Sequence, residues 1–169
     1  VDIDAPASAV WPWVAQVGAD RGGFYSYEWL ENLAGCEIQN AETIHADWEL
    51  VEGDALVLHP KSPPLHVVSV ERERHVLAYG APGDASRNSG APWATVSWLF
   101  AIEPIDACRC RFISRFRSDC SPDLATWLAF GPLFAEPVGF AMDRRMLLGV
   151  KALSEQSRSA AGATTRMPA

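Results

Sequence analysis

The chain has 169 residues, 49% hydrophobic and 21% charged, a balance that fits one globular domain and excludes a disordered or fibrous chain. Fourteen Lys and Arg against twenty-one Asp and Glu leave a net charge of −7, which repels phosphate backbones and argues against a nucleic-acid partner. The longest uncharged apolar stretches, residues 94–102 and 126–134, fall short of the roughly 20 residues that cross a bilayer, so no membrane span is expected.

Residues 1–4 alternate apolar and polar and read as an edge strand. They carry no basic region followed by an apolar run, so the expected location is the cytoplasm. The Ala-rich run from Ala5 to Gln16 reads as a helix with Val10, Trp11, Val14 and Val17 on its buried face, kinked or divided at Pro12 and ended near Gly18. A turn follows at residues 20–23. Ser26 is placed to cap a second short helix, with Leu30, Leu33 and Ala34 on one side and Gly35 at its end. Residues 36–53 read as an ordered, irregular connection.

From residue 54 the pattern changes to period two, and residues 55–59, 65–70, 75–79, 94–102 and 109–117 read as strands. Short turns join most of them, which predicts an antiparallel sheet. With a turn at residues 71–74, His66 falls opposite Tyr79. Residues 80–92 are rich in Pro, Gly, Ser, Asn and Asp and read as a mobile loop able to act as a lid. A final helix carries the stripe Val138, Met142, Met146, Gly149, Val150 and Leu153, with Pro137 in its first turn and Asp143, Arg144 and Lys151 on its opposite face. Residues 1–156 are thus expected to form one domain and residues 157–169 a flexible tail. Cys36, Cys108, Cys110 and Cys120 form no CxxC pair and are expected to be free, mostly buried thiols.

These elements predict an α+β domain in which a curved antiparallel β-sheet wraps a long C-terminal α-helix, with short helices after the first strand. Particular residues carry a resemblance: Ala5-Pro6-Ala7-Ser8-Ala9-Val10-Trp11-Pro12-Trp13, then Gln16-Val17-Gly18, Asp20-Arg21-Gly22-Gly23-Phe24-Tyr25-Ser26-Tyr27 and Trp29-Leu30-Glu31-Asn32. It continues through Asn40-Ala41, Trp48, Gly53-Asp54 and Met142-Asp143-Arg144-Arg145-Met146-Leu147. This pattern resembles the SRPBCC superfamily, the helix-grip fold of START domains, birch-pollen-type allergens and bacterial polyketide cyclases, and within it a bacterial branch with a Gly-Gly-Phe-Tyr-Ser-Tyr insertion. Gln39 and Ala46-Asp47 depart from that branch's pattern, where a His and a Pro-Glu are usual. The resemblance implies a hydrophobic small-molecule ligand but no single activity, because this fold serves carriers, cyclases, hydroxylase domains and co-chaperone modules alike.

Strand 94–102 turns Trp98 and Phe100 to the same face as Val96 and Ile102, making them candidate cavity walls or plain core. On strand 109–117, Cys110, Phe112, Ser114 and Phe116 face one way and the arginines the other, where Arg115 or Arg117 meets either solvent or an acidic ligand group. Phe24, Tyr25, Tyr27, Glu28 and Trp29 gather phenols, a carboxylate and aromatic surface within six residues. A phenol and a carboxylate can move protons on carbons beside a carbonyl, as cyclisation, dehydration or isomerisation requires. Glu28 equally suits a helix first turn with no catalytic task. His59 is the best general-base candidate by residue type, or else a satisfied strand-end residue.

The catalytic candidates are therefore Tyr25, Glu28 and His59, and the ligand-binding candidates Phe24, Tyr27, Trp29, Trp98, Phe100, Arg115 and Met142. No HxxxH, HExxH, GxSxG, Walker loop or GxGxxG occurs, so neither metal nor cofactor is expected. Three readings stand: a cofactor-free, polyketide cyclase-like enzyme, a lipid or metabolite carrier or sensor, and a protein-interaction module. The first two require a cavity of about 300 Å³ or more.

Overall fold

The computed structural model describes residues 1–83, 91–124, 126 and 135–164. The period-two tract becomes a six-stranded sheet in the order β1-β6-β5-β4-β3-β2, every neighbouring pair antiparallel. Its strands are β1 (Asp2–Ile3), β2 (Ala55–Leu56), β3 (Leu65–Glu71), β4 (His75–Gly80), β5 (Ala94–Asp106) and β6 (Arg109–Cys120). With them come α1 (Ala7–Ala15), α2 (Glu28–Leu33), a 3-10 turn at Ala46–Trp48 and the long α3 (Ala135–Thr164). The α+β class, the antiparallel sheet and the C-terminal helix are those the sequence pattern predicts.

The register is set by the turns together with bulges in the β3–β4 and β5–β6 ladders. His66 pairs with Tyr79 across β3 and β4, and a bulge between Val67 and Ser69 shifts the ladder beyond them. β5 and β6 form a long hairpin from Ala94 opposite Cys120 to Asp106 opposite Arg109. Val96, Phe100 and Ile102 on β5 are buried with Cys110 and Phe112 on β6, so the faces assigned by alternation do enter the core. Fully burying such a large apolar side chain contributes roughly 1.5–3 kcal/mol. β2 is shorter than its alternation suggests. After Leu56 the chain leaves the ladder, the Val57 carbonyl accepts the Ala19 amide, and Ser62 N–H closes a turn on His59 O.

α1 runs through Pro12 undivided and buries Val10, Trp11, Trp13, Val14 and Ala15. It stops at Gln16, before Gly18, which instead forms a two-way backbone bridge with Gly23 at 3.1 and 2.9 Å. Gln16 then fastens the irregular connection that follows. Its amide donates to the Tyr25 hydroxyl at 2.9 Å and the Thr43 carbonyl at 3.1 Å, and its Oε1 accepts the His45 amide at 2.9 Å.

α2 departs from the predicted orientation. Ser26 is not its cap; Tyr27 holds that position, and the Ser26 hydroxyl donates to the Met142 carbonyl at 3.0 Å. Leu33, assigned to a buried side, is 78% exposed, whereas Glu31 is buried. Gly35 follows the C-cap, as expected.

α3 packs against α1, β1 and β6 and buries Met146 and Val150 completely or nearly so. Gly149 permits its approach to Tyr25, since a Cβ there would lie 2.4 Å from the Tyr25 carbonyl oxygen. The helix continues to Thr164 rather than ending near residue 157. Ser157 donates back to the Leu153 carbonyl within the helix, and Arg158 ties the helix to the carbonyl of Asp4. β1 is held on both sides, with Ile3 opposite Cys110, Arg111 paired to the Asp2 carboxylate at 2.7 Å, and Lys151 donating to the Asp2 carbonyl at 2.6 Å. Of the four cysteines, Cys110 alone is buried, Cys36 and Cys120 are partly so, and Cys108 is exposed; all are free thiols. Most of the expected lid, residues 84–90, lies outside the described residues, as do 127–134 and the end of the expected tail, 165–169.

Candidate functional site

A cavity of about 540 Å³ is lined by β5, β6, α3 and the 24–38 segment. Its aromatic wall centres on Trp98, stacked on Phe24 at 5.6 Å and 26° and met edge-on by Phe116 at 5.6 Å and 85°. Ile38, Leu58, Met142 and Met146 complete an apolar lining. Phe116 and Phe140 also line it while remaining 48% and 71% exposed, which places them at an open mouth.

The glycine pair explains how Phe24 reaches that wall. Gly23 adopts φ +74, and a Cβ there would lie 2.5 Å from Asn40 Oδ1, the same atom that accepts the Tyr25 amide at 2.6 Å. The chain therefore turns tightly against Asn40, sending Phe24 into the cavity and Tyr25 into the core.

The polar lining is acidic. Glu31 is only 3% exposed, and its Oε2 has no hydrogen-bond partner. Burial, reinforced by the charge of Glu28, pushes its carboxyl up to about 7. Its inward position is fixed from the next turn: the Asn32 side chain accepts from Ile38 N–H at 2.6 Å and donates to Ile38 O at 2.9 Å, and Cys36 N–H bonds the Glu31 carbonyl at 3.0 Å. This clamp sets the phase of a six-residue helix and brings Cys36, Ile38 and Glu31 to one wall.

Asp143 on α3 is the second carboxyl in the cavity. It ends a relay in which Trp98 Nε1–H donates to Ser114 Oγ at 2.9 Å and Ser114 donates to Asp143 Oδ1 at 2.5 Å. Burial raises its pKa, and the Ser114 bond offsets part of that rise. The Cys36 thiol is likewise raised by burial and by the neighbouring Glu31 charge. Both carboxyl groups are biased towards protonation in an apolar cavity, and Glu31, pushed up to about 7, can donate a hydrogen bond or exchange a proton near neutral pH.

Among the sequence candidates, Phe24, Trp98 and Met142 line this cavity. Phe100 sits behind Trp98, fully buried against Phe112. Tyr27 and Trp29 line a separate, shallower groove of about 280 Å³ with Pro137 and Val138. Arg115 pairs with Leu99 on the outer face of the hairpin and is exposed.

The three catalytic candidates lie elsewhere. Tyr25 is buried between Trp13, Gln16 and α3, and burial lifts its phenol to about 12, far from a useful acid or base at neutral pH. Glu28 is exposed at the start of α2 and accepts the Asn40 amide at 3.0 Å, a loop-fastening task. His59 Nδ1 accepts Lys61 N–H at 2.9 Å, which leaves Nε2–H to face the Ala34 carbonyl at 3.2 Å. With its lone pair engaged, it ties the post-β2 turn to the end of α2.

Sequence reasoning missed Glu31, Cys36 and Asp143. Asp143 carried a usable signal, because it lies four residues after Gly139 and three before Met146, on the stripe rather than opposite it. Glu31 carried none, since the Asn32–Ile38 clamp that turns it inward has no local pattern. Among the described residues, no three His, Cys, Asp or Glu side chains gather as a metal site, and no helix is long and apolar enough to cross a membrane.

Fold and site together define an α+β domain with an acid-containing apolar cavity. No family model, curated protein or solved structure matches the chain.

Proposed function

We propose that this chain binds a hydrophobic small molecule, polyketide-, terpenoid- or lipid-like, in the cavity beside α3. The reading takes the fold as a helix-grip domain of SRPBCC type, its sheet curved around the terminal helix. The observation that carries it is the 540 Å³ space walled by Phe24, Trp98, Phe116 and two methionines, a size and lining suited to a compact organic ligand. Burying such a ligand recovers apolar surface that Phe116 and Phe140 otherwise expose at the mouth.

Turnover is the second reading, favoured by Glu31. A carboxyl poised at about 7 has the proton affinity that general acid–base catalysis at neutral pH requires, and Asp143 supplies a second group in the same space. Cyclisation, dehydration or isomerisation without a cofactor then falls to Glu31 and Asp143 rather than to Tyr25, Glu28 or His59. The carrier role needs only the walls.

Native mass spectrometry of the purified protein, followed by denaturing extraction, tests the binding reading. A co-purifying apolar compound supports it and supplies the substrate class for turnover assays. A clean apo mass, together with no saturable uptake of the apolar fluorophore N-phenyl-1-naphthylamine, overturns it.

A further inference from the structure

The polar groups of the cavity share one sign. Its lining contains Glu31 and Asp143 but no lysine, arginine or histidine among the described residues. The two carboxyls are not equivalent. Asp143 accepts the Ser114 hydroxyl, whereas Glu31 keeps Oε2 buried and unpartnered although the residue is 97% removed from solvent. An unpaired buried carboxylate is costly, and it is relieved either by taking up a proton or by meeting a cation. The protein supplies no cation there, so a ligand can.

Resting on the binding reading above, we propose that the cavity selects a hydrophobic amine, whose apolar body lies against Trp98, Phe24 and the methionines while its ammonium group pairs with Glu31. An ammonium presents three donors and no acceptor, the complement of a carboxylate oxygen with an empty acceptor site. An alcohol offers a single neutral donor, and a fatty carboxylate brings a negative charge into a space that already holds two acids. The net charge of −7 favours approach of the same ligand class from solution.

Proton and ammonium compete for the same oxygen, which makes the selection pH-dependent. The titratable groups facing Glu31 are Glu28 on its own helix, Cys36 in the following turn and Asp143 on α3. All are acids, so none supplies a competing positive charge. Because the carboxyl titrates at about 7, amine affinity rises with pH up to that point and levels off above it, while the alkylamine itself stays protonated throughout.

The test is isothermal titration of the intact chain with decylamine, decanol and decanoate at pH 5.5 and pH 8. The expected result at pH 8 is that decylamine binds at least about tenfold more tightly than decanol and that decanoate binds most weakly; lowering the pH to 5.5 weakens decylamine by up to roughly thirtyfold, the factor by which protonation depletes a carboxylate titrating at about 7, and so removes most or all of the amine advantage. In Glu31→Gln the advantage disappears while decanol affinity is retained, which also reports an intact cavity. If that variant does not fold, the pH comparison on the unmodified chain decides alone. Equal affinities, or a preference for decanoate, overturn the amine inference and leave the cavity reading standing. No binding by any of the three overturns both.

Discussion

Glu31→Gln should stabilise the protein, and do so increasingly with pH. The substitution keeps the shape of the side chain and removes its charge. In the folded chain the carboxyl titrates at about 7, against an ordinary value of 4.5, so between those limits the folded state holds a proton that the unfolded state has released. Stability contributed by that proton is complete below pH 4.5 and is lost as the pH climbs to 7. At about 1.4 kcal/mol per pH unit, the full loss is as much as roughly 3 kcal/mol. The glutamine variant lacks this loss, so its advantage over the unmodified chain should grow through that window and then plateau. Urea denaturation of both chains at half-unit intervals from pH 4.5 to 8 measures the difference directly, and groups common to both cancel. The plateau corresponds to a rise in Tm of roughly 6–12 °C for a domain of this size. A stability difference independent of pH would refute the reasoning, because it would mean that solvent reaches Glu31 freely and that the cavity does not isolate it.

Gly149→Ala tests the contact between α3 and the 24–27 turn: the gain in helix propensity of about 1 kcal/mol should be outweighed by the clash with the Tyr25 carbonyl, giving a net loss of about 1–2 kcal/mol in denaturant unfolding. A stabilised variant would show that the two segments are not in that contact. Tyr25→Phe removes the acceptor for one Gln16 amide proton but leaves the Thr43 bond, so it should cost about 1 kcal/mol by thermal or urea unfolding and change the affinity for any cavity ligand less than twofold. A tenfold loss of ligand affinity would return the phenol to the site.

The sheet was legible because its information is local. Alternation assigns the inner face; the His66–Tyr79 pairing expected from a 71–74 turn is reached by a different route, because Glu71 itself pairs with His75 and the bulge between Val67 and Ser69 shifts the ladder back by one residue. The cavity wall on β5 and β6 inherits the same legibility, which is why Trp98 could be assigned an inward direction. Where an element spans fewer than two turns, that logic fails. In α2, Leu30 and Leu33 suggest a buried side, yet the helix is only six residues long, and its rotation is decided by the Asn32 bonds to Ile38. The aromatic cluster from Phe24 to Trp29 was misleading for a related reason. Sequence proximity places those groups together along the chain, but the turn at Gly23 distributes them to the cavity, the core and a surface groove in succession.

The clamp on β1 also favours an order of folding. Asp2 meets Arg111 across 109 residues, and closing a loop of that length costs roughly 2 kcal/mol more than closing one of ten. The β3–β4 and β5–β6 hairpins need only short turns, so they can form first, and the first strand docks after them. From α3, Lys151 holds the Asp2 carbonyl and Arg158 the Asp4 carbonyl just beyond the strand, so the opening and closing elements of the described chain are expected to secure one another late. Until they meet, the Cys110–Phe112 stretch of the β6 edge lacks the partner that β1 and Val1 supply, and that stretch is then an unpaired template for another strand in a refolding chain.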